Sequence, residues 1–225
     1  MTGLKLSIVI PVLNEAPVIE ATLAALAPLR ARGHEVVVAD GGSEDATREL
    51  AAAFADRVVI APRGRARQMN AGAAVASGDA LLFLHADTRL PANADDLIFH
   101  SLKKKSWGRF DVAIEGRSTL LPTVAFLMNL RSRLTGIATG DQAIFVRRGV
   151  FAGFPEIALM EDVAFSKAMK RRSPPACLRA TVMTSGRRWD RHGVLRTIVL
   201  MWRLRLAYFL GAAPDDLARR YASKA

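Results

Sequence analysis

Short apolar runs alternate with segments of helical periodicity through the first ninety residues. The runs that predict strands are Leu6–Val12, Glu35–Ala39, Arg57–Ala61 and Ala80–Leu84. The segments that predict helices are Glu15–Leu29, Asp45–Ala55 and Ala66–Ala76. Continuous apolar strands that alternate with helices indicate a parallel sheet covered by helices on both faces. We therefore expect an α/β fold, in which right-handed crossovers bring the carboxyl ends of the strands to one edge.

After His85 the elements alternate less regularly. The predicted helices there are Ala92–Lys105, Leu120–Leu134, Leu159–Arg171, His192–Leu210 and Asp215–Ala222. The predicted strands are Arg109–Glu115, Gln142–Arg147 and Ala180–Thr184. Because no linker or repeat interrupts the chain, we expect one domain over residues 1–225. We expect three parts within it: a regular half (1–90), an elaborated half (91–189) and C-terminal helices (190–225).

Composition and charge narrow the class of protein. The chain is 51% hydrophobic and 24% charged, as globular proteins are. Its net charge of +11 lies wholly in residues 131–225, which hold 18 Lys+Arg and 7 Asp+Glu. This excess favours phosphorylated ligands or an anionic membrane surface; nucleic acid is not expected, since no nucleic-acid-binding motif is visible. The single cysteine, Cys177, excludes a disulfide framework and a cysteine-based zinc site.

No signal peptide or spanning apolar segment is visible, so the expected location is the cytoplasm, including the inner face of the membrane. One stripe of the last long helix is apolar, with arginines beside it. The stripe comprises Leu195, Ile198, Trp202, Leu206 and Phe209. It suits packing on the core, a homodimer face or a membrane-surface anchor, and core packing is the favoured interpretation.

Three of the apolar runs end in a carboxylate: Glu15, Asp40 and Asp87. Ligands of open α/β sheets bind in the crevice at such strand ends. No glycine-rich phosphate loop lies nearby, so the acids indicate a nucleotide site that works through ribose contacts and a metal ion. Asn14 and Glu15 also fit a helix cap, whereas Asp40 lies before its turn and is better explained by a ligand.

Two further segments add candidates at the same edge. Three arginines around Gly64 could neutralise a diphosphate at a helix N-terminus, although they also fit a solvated turn. His85 and Asp87 are alternate residues, so both can face one ligand, and they suit Mn²⁺ or Mg²⁺ bridged by phosphates. Asp87 also fits a helix-capping turn.

Two late motifs carry candidate catalytic chemistry. Glu161 and Asp162 begin a predicted helix, where acids complement the dipole, but a shielded carboxylate beside another acid can also serve as a general base. Arg188 and Trp189 fit either a solvated loop or a pocket in which the arginine meets a leaving diphosphate.

Together and in this order, these motifs resemble the family 2 glycosyltransferases, which have the GT-A fold. The segments that carry the resemblance are SIVIPVLNE, DGGSEDAT, Asn70-Ala-Gly72, FLHADT, GDQAIFVRR, MEDVAF and SGRRW, between Leu6 and Trp189. The HADT variant is similar to a small bacterial branch of the family. The resemblance implies an inverting transfer of a sugar from a nucleotide diphosphate donor, most often UDP-linked, to a hydroxyl acceptor.

The resemblance also implies roles by position. The nucleotide-binding residues would be Pro11, Leu13, Asn14, Glu15, Asp40, Arg67, Asn70 and Ala86. The metal, Mn²⁺ or Mg²⁺, would be held by Asp87 and His85. Asp162 would be the base, with Glu161 and Arg188 beside it in the catalytic set. The acceptor-binding residues would be Gly140, Asp141, Gln142 and Trp189.

Some positions depart from the family pattern. His85 replaces the first aspartate of the metal motif, and Met69 stands where an arginine is common, so Arg67 is expected to substitute. The final motif lacks its leading glutamine, which argues against processive synthesis. The alternatives are a nucleotidyltransferase of similar fold, which usually needs a glycine-rich loop with a lysine, and a binding protein without catalysis. A phosphorylated or lipid-linked acceptor suits the basic C-terminal part.

Overall fold

In the computed structural model, which describes residues 3–222, one mixed sheet organises the chain. Its strands are β1 Leu6–Val12, β2 Glu35–Asp40, β3 Arg57–Ile60, β4 Ala80–Phe83, β5 Thr88–Arg89, β6 Trp107–Glu115, β7 Phe145–Arg147 and β8 Ala176–Ser185. Their order in the sheet is β3-β2-β1-β4-β7-β6-β8-β5. The first four are mutually parallel, β7 is antiparallel to both of its neighbours, and β8 runs parallel to β6. The expected mostly parallel arrangement is confirmed for the N-terminal half.

Helices flank the sheet. They are α1 Ala16–Ala25, α2 Ala27–Ala31, α3 Thr47–Phe54, α4 Arg65–Val75, α5 Ala94–Leu102, α6 Leu121–Thr135, α7 Glu161–Lys170, α8 Arg187–His192, α9 Val194–Phe209 and α10 Pro214–Ala222. The single helix predicted over Glu15–Leu29 is divided at Leu26. Pro28 in the first turn of α2 explains the break, since proline has no N–H to donate to the preceding turn.

The central strands bury both of their faces. Successive residues of β1, such as Ile8 and Val9, lie in different apolar clusters on opposite sides of the sheet. On one side α4 lies directly on β1: a Cβ at Gly72 would come within 2.5 Å of Val9 Cγ1. Glycine is therefore required at position 72, because it lets the helix approach the strand and fixes the helix N-terminus at the edge of the sheet.

The C-terminal half differs from the sequence prediction in its short elements. The strand predicted from Gln142 begins at Phe145, because Gly140–Gln142 forms a 3₁₀ turn closed by reciprocal Thr139 and Gln142 hydrogen bonds. The short strand β5 was not predicted and exists through antiparallel pairing with β8. The helix α8 was also not predicted.

The outer face of α9 overturns one expectation. Leu195, Trp202 and Leu206 of the predicted core stripe are 70%, 72% and 61% exposed, whereas Leu204 is 2% exposed. The helix packs through the face that carries Leu204. Of the stripe, Ile198 packs partly against the core, whereas the other four residues face outwards, so the prediction of core packing was wrong for them. Periodicity identifies an apolar stripe but does not tell which way it faces. Within residues 3–222, none of the helices combines the length and the apolarity that crossing a membrane requires.

Candidate active site

The loop after β1 is tied to the loop after β2 through Asn14. Its Oδ1 accepts a hydrogen bond from the Glu44 N–H at 2.9 Å, and its own N–H donates to Ser43 Oγ at 2.9 Å. Asn14 has φ +54°, a left-handed conformation that asparagine tolerates better than most residues. Half-buried Leu13 precedes it. The loops after β1 and β2 are therefore joined into one rim at the carboxyl edge of the sheet.

Asp40 is fully buried at the end of β2. Its carboxylate accepts hydrogen bonds from the N–H groups of Gly42 and Ser43, both at 3.0 Å. Gly42 has φ +91°, so this turn requires glycine there. The structure thus gives Asp40 a role in shaping the turn, and its contact with a nucleotide stays a prediction.

Gln68 of α4 is a site residue that sequence reasoning missed. Its Nε2 donates to the carbonyl oxygens of Val12 at 2.6 Å and Ala39 at 3.1 Å, so it joins the ends of β1 and β2. A Cβ at Gly41 would lie 2.8 Å from Gln68 Cδ. The available signal was a polar residue on the buried face of a helix whose neighbours Ala66 and Met69 are apolar.

The other predicted residues of α4 face away from this junction. Arg67 is exposed and its Nε lies 3.5 Å from Glu156 Oε2. Asn70 accepts from the Phe154 N–H at 2.7 Å and donates to the Phe154 carbonyl at 2.9 Å, which anchors the segment before α7. Their predicted nucleotide contacts remain untested.

Glu15 and Asp87 converge on one cation. Arg187 Nη2 lies 3.2 Å from Glu15 Oε2 and 3.0 Å from Asp87 Oδ2. Partial burial lowers the pKa of Arg187, but its hydrogen bonds to the two carboxylates outweigh this and raise the pKa above its usual value. Arg187 was not among the predicted residues. Ala86, the residue before Asp87, accepts a hydrogen bond at its carbonyl oxygen from the Thr22 hydroxyl.

Arg188, which the sequence predicted near the diphosphate, contacts Tyr221 of α10, whereas its neighbour Arg187 contacts Glu15 and Asp87. The Arg188 guanidinium carbon is 3.9 Å from the centre of the Tyr221 ring, and Arg188 donates to the Tyr221 hydroxyl. Trp189 lines a surface groove together with Arg117 and Leu195. The catalytic role of Arg188 and the acceptor role of Trp189 remain predictions.

His85, two residues before Asp87, forms a pair with Asp141. His85 Nδ1 lies 3.4 Å from Asp141 Oδ1, while its Nε2 is buried and has no partner among residues 3–222. The ring packs against Gly140, where a Cβ would lie 2.5 Å from Nε2. Burial opposes ionisation of Asp141, but the His85 imidazole outweighs this and holds the pKa of the carboxyl at about 2.

Glu161 and Asp162 open α7 after Met160, whose φ of +72° turns the chain into the helix. Asp162 Oδ2 accepts from the Gly140 N–H at 3.0 Å and Oδ1 from the Val163 N–H at 2.7 Å. Glu161 is 5% exposed, and burial together with the charge of Asp162 raises its pKa. The Asp162 carboxylate is therefore held in a fixed orientation beside the 3₁₀ turn.

The same turn holds the remaining predicted acceptor residue. Gln142 is fully buried, and its Nε2 donates to Asn129 Oδ1 at 3.2 Å. Gln142 thereby links the 3₁₀ turn to α6, and its contact with an acceptor stays a prediction.

A narrow cleft joins the strand ends to the start of α7. Its lining residues include Pro11, Arg65, His85, Gly140, Glu161 and Asp162. Arg65 was noticed in the sequence only as one of three arginines, and its Nη1 lies 4.0 Å from Glu161 Oε1. The arrangement places oriented carboxylates across a cleft from groups at the parallel strand ends.

The part of the chain that the structure describes holds no group of three or more His, Cys, Asp or Glu side chains arranged to bind a metal by themselves. The guanidinium between Glu15 and Asp87 nevertheless marks a cation position with two oxygen donors. Mg²⁺ sites commonly use one or two carboxylates and complete their coordination with substrate phosphates. The residues therefore fit a metal that arrives with a diphosphate.

A model of the family described as "Glycosyl transferase family 2" matches residues 7–156. The chain belongs to this family. It is 32% identical over 177 residues to a "PGL/p-HBAD biosynthesis glycosyltransferase" of Mycobacterium bovis (strain BCG / Pasteur 1173P2), and equally to that of Mycobacterium tuberculosis (strain ATCC 25177 / H37Ra). Each match covers 67% of this chain and 62% of the relative. The chain thus spans less than two thirds of these relatives.

Solved structures show the same GT-A fold. S. aureus TarS 1-349 in complex with UDP-GlcNAc superposes with a TM-score of 0.64 at 18% identity, over 80% of this chain and 58% of that one. Glucosyl-3-phosphoglycerate synthase from M. tuberculosis, in complex with Mn²⁺, UDP and glucosyl-3-phosphoglycerate, gives a TM-score of 0.57 at 22% identity, over 81% and 71%. The GT-A fold expected from the sequence motifs is therefore confirmed.

Proposed function

We propose that this protein transfers a sugar from a UDP-linked donor to a hydroxyl acceptor, with inversion and with a divalent metal. The observation that carries the proposal is the cleft itself. The oriented Asp162 carboxylate lines this cleft together with His85. Two residues after His85, Asp87 converges with Glu15 on one cation position. Ligands of parallel sheets bind at such an edge.

The donor class is supported by the fold neighbours. One is solved with UDP-GlcNAc and another with UDP and Mn²⁺. At 18–22% identity these likenesses show the fold, and UDP is our proposal for this chain. The loops after β1 and β2, held together by Asn14 and Gln68, would form the nucleotide-binding rim.

Asp87 would hold the metal, with Glu15 as the second oxygen donor available at that position. The bound ion, Mn²⁺ or Mg²⁺, would neutralise charge on the leaving diphosphate. His85 is the family's variant position: its Nδ1 is engaged by Asp141 and its Nε2 is free to donate or accept. This arrangement, a carboxylate holding one ring nitrogen, is common in metal-ligating histidines.

Asp162 would take the proton from the acceptor hydroxyl. Its carboxylate is held by the N–H groups of Gly140 and Val163, which leaves lone pairs for a substrate while fixing its direction. Glu161 beside it has a raised pKa because it is buried and next to another acid. Glu161 therefore holds a proton more readily than an ordinary glutamate, and we assign the role of base to Asp162, whose carboxylate the two N–H groups orient.

One variant and one assay separate this enzyme from the two alternatives, a binding protein that lacks catalysis and a nucleotidyltransferase. In Asp162→Asn we expect turnover to be lost while UDP affinity is kept; a pure binding protein would have no turnover to lose in the wild type. The nucleotidyltransferase alternative predicts pyrophosphate release from UTP and a sugar phosphate, which the wild-type protein can be assayed for directly. Detection of that activity would contradict the proposal.

The outer surface supports action at an anionic membrane. In the part of the chain that the structure describes, nine of thirteen strongly exposed large apolar side chains lie on α6 and α9. Those on α9 form one outward stripe, beside which Arg196 and Arg203 are exposed. An outward apolar stripe with flanking arginines is typical of helices that lie in a membrane surface, and it suits a lipid-linked acceptor.

Co-sedimentation with vesicles of phosphatidylglycerol and phosphatidylcholine tests this location. We expect binding at low salt that falls in Trp202→Ser with Phe209→Ser, whereas Ile60→Ser, an exposed apolar change on β3, leaves it intact. Light scattering distinguishes the homodimer alternative: a stable dimer that the α9 changes dissociate, without vesicle binding, would contradict the membrane role.

A further inference from the structure

Two arginines near the Asp141 and Asp162 carboxylates form no ion pair among the described residues, and one of them has buried nitrogens without a partner. Arg131 lies in the last turns of α6, and both its Nε and Nη2 are buried without a hydrogen-bond partner among the described residues. Burial and the nearby charge of Arg205 lower the pKa of Arg131 to about 10. A buried guanidinium without partners costs free energy unless a ligand or water satisfies it.

Arg205 reaches the same region from α9. Its neighbour Leu204 packs in one apolar cluster with Met160 and Val163, which flank the two acids at the start of α7. Burial lowers the pKa of Arg205, while the charges of Asp162 and Asp141 raise it. Arg131 also interacts with both of these carboxylates. The two guanidinium groups therefore lie near the Asp162 and Asp141 carboxylates and within reach of each other's charge.

The carboxylates nearby do not account for the arginines. Asp141 is engaged by His85, and Asp162 accepts from the backbone of Gly140 and Val163. Within residues 3–222, neither acid forms an ion pair with Arg131 or Arg205.

The fully buried Arg109 is paired with Asp111. Arg131 and Arg205 differ from it, since neither forms an ion pair among residues 3–222. Two adjacent unneutralised guanidinium groups match a phosphate monoester, which carries close to two negative charges and several acceptor oxygens.

We propose that Arg131 and Arg205 form a subsite for a phosphate group on the acceptor, next to the Asp162 base. The inference rests on the proposed function and deepens it, because it names the class of acceptor as a phosphorylated alcohol. The phosphate would satisfy the buried guanidinium nitrogens, and the acceptor's free hydroxyl would then lie towards Asp162.

Inorganic phosphate is the probe. It is titrated calorimetrically into the protein saturated with UDP and Mg²⁺, so that the donor diphosphate position is already filled, and again without UDP. We expect Arg131→Gln and Arg205→Gln each to weaken phosphate binding about tenfold, as loss of one charge-assisted contact of about 1.4 kcal/mol would. The double variant should bind no phosphate. The matched control is Arg203→Gln, an exposed arginine of the same helix, which should bind phosphate like the wild type.

Several outcomes would overturn the subsite. These are a folded, UDP-binding wild type that binds no phosphate, phosphate binding that survives in the double variant, or equal losses in Arg203→Gln. If Arg131→Gln does not fold, Arg131→Lys keeps the charge but not the fork of donors, and partial retention of binding is then expected.

The nucleotide readout keeps the two proposals apart. Failure of UDP to bind would count against the donor proposal alone, since the titration without UDP still compares the arginine variants. A second pair of probes, glycerol 3-phosphate and vesicles of phosphatidic acid, distinguishes a soluble phosphate ester from a lipid phosphate. In either case the loss must follow Arg131 and Arg205; binding that ignores both substitutions would refute the subsite.

Discussion

Two regions of the molecule differ in whether their polar groups have hydrogen-bond partners. At the strand ends of the N-terminal half, Asp40 is bonded to its own turn and Asn14 to the next loop. In the C-terminal half, two buried nitrogens of Arg131 have no partner among the described residues. The loops after β1 and β2 are thus hydrogen-bonded without a ligand, whereas the buried guanidinium of Arg131 is not.

This difference in hydrogen bonding indicates that the two regions bind ligands in different ways. A rim whose side chains are already hydrogen-bonded is rigid, and it can present backbone groups to a nucleotide without reorganising. A pocket with unpaired buried cations is stabilised when an anion enters. The net charge is divided in the same way, since residues 1–130 hold 14 Lys+Arg and 14 Asp+Glu while the whole excess lies beyond them.

The largest expected effect is on turnover. Asp162→Asn keeps the shape of the side chain but removes the base, so we expect a loss of about 10²–10⁴-fold in kcat. UDP affinity should change by less than about twofold. Asp96→Asn, an exposed acid on α5, serves as the control. Full activity in Asp162→Asn, measured by UDP release, would remove Asp162 from the mechanism.

The two faces of α9 should differ in stability. Leu204→Ala is expected to cost about 2–5 kcal/mol of unfolding free energy, because it opens a cavity between α9 and the start of α7. Trp202→Ala on the exposed face should change it by less than about 0.5 kcal/mol. Urea denaturation measures both. Equal costs would mean that the exposed stripe is covered in solution, as in a dimer.

Replacing Glu35, a buried and hydrogen-bonded acid of the N-terminal half, should lower the free energy of unfolding. Glu35 accepts hydrogen bonds from Ser7, Ser77 and Lys5, and although burial opposes ionisation, these bonds lower its pKa from 4.5 to about 2. Because the pKa is lower in the folded state, its contribution is present above about pH 4.5 and is lost as the pH falls towards about 2.

Glu35→Gln should therefore lower the unfolding free energy by about 2 kcal/mol at pH 7. The difference from the wild type should shrink in denaturation curves recorded between pH 4.5 and pH 2. A difference that is constant over this range would show that the charge of Glu35 is not responsible.

Neighbouring arginines allow a matched test of the donor side. When the metal occupies the position between Glu15 and Asp87, we expect Arg187 to turn to the diphosphate. Arg187→Gln should then weaken UDP binding about tenfold, through loss of a charge-assisted contact. Arg188→Gln disturbs only the contact with Tyr221 and should leave UDP affinity unchanged. The reverse result, by calorimetry, would restore Arg188 to the role that the sequence motif suggested.

The smallest effect is expected at Glu161. Its pKa is raised by burial and by Asp162, so its contribution to stability is complete at low pH and is lost as the pH rises through the folded-state value. Glu161→Gln, which mimics the protonated form, should raise Tm slightly at pH 8 and have no effect at pH 4. A lower Tm at pH 8 would indicate that its contact with Arg65 dominates instead.

Sequence patterns predicted the strands of the first half closely. The predicted run Leu6–Val12 has the same bounds as β1, because fully buried parallel strands are continuous apolar runs with clear ends. The order of the acidic strand ends also predicted the site's edge. The motifs gave the family, which the family comparison confirms.

Other features depend on tertiary contacts that no local pattern records. The strand β5 is two residues long and exists through its pairing with β8. Whether Arg187 or Arg188 faces Asp87 is decided by the rotation of α8, which was not predicted as a helix. The direction of the α9 stripe depends on which face Leu204 occupies.

The central claim is that the strand-end carboxylates hold a metal-bound nucleotide diphosphate. Calorimetric titration of UDP, GDP and their common sugar conjugates, with Mn²⁺ and with EDTA, tests it most directly. We expect one nucleotide, UDP, to bind with micromolar affinity in Mn²⁺, and binding to weaken at least tenfold in EDTA and in Asp87→Ala. Binding of no nucleotide by the folded protein, or UDP binding that neither EDTA nor Asp87→Ala affects, would contradict the account.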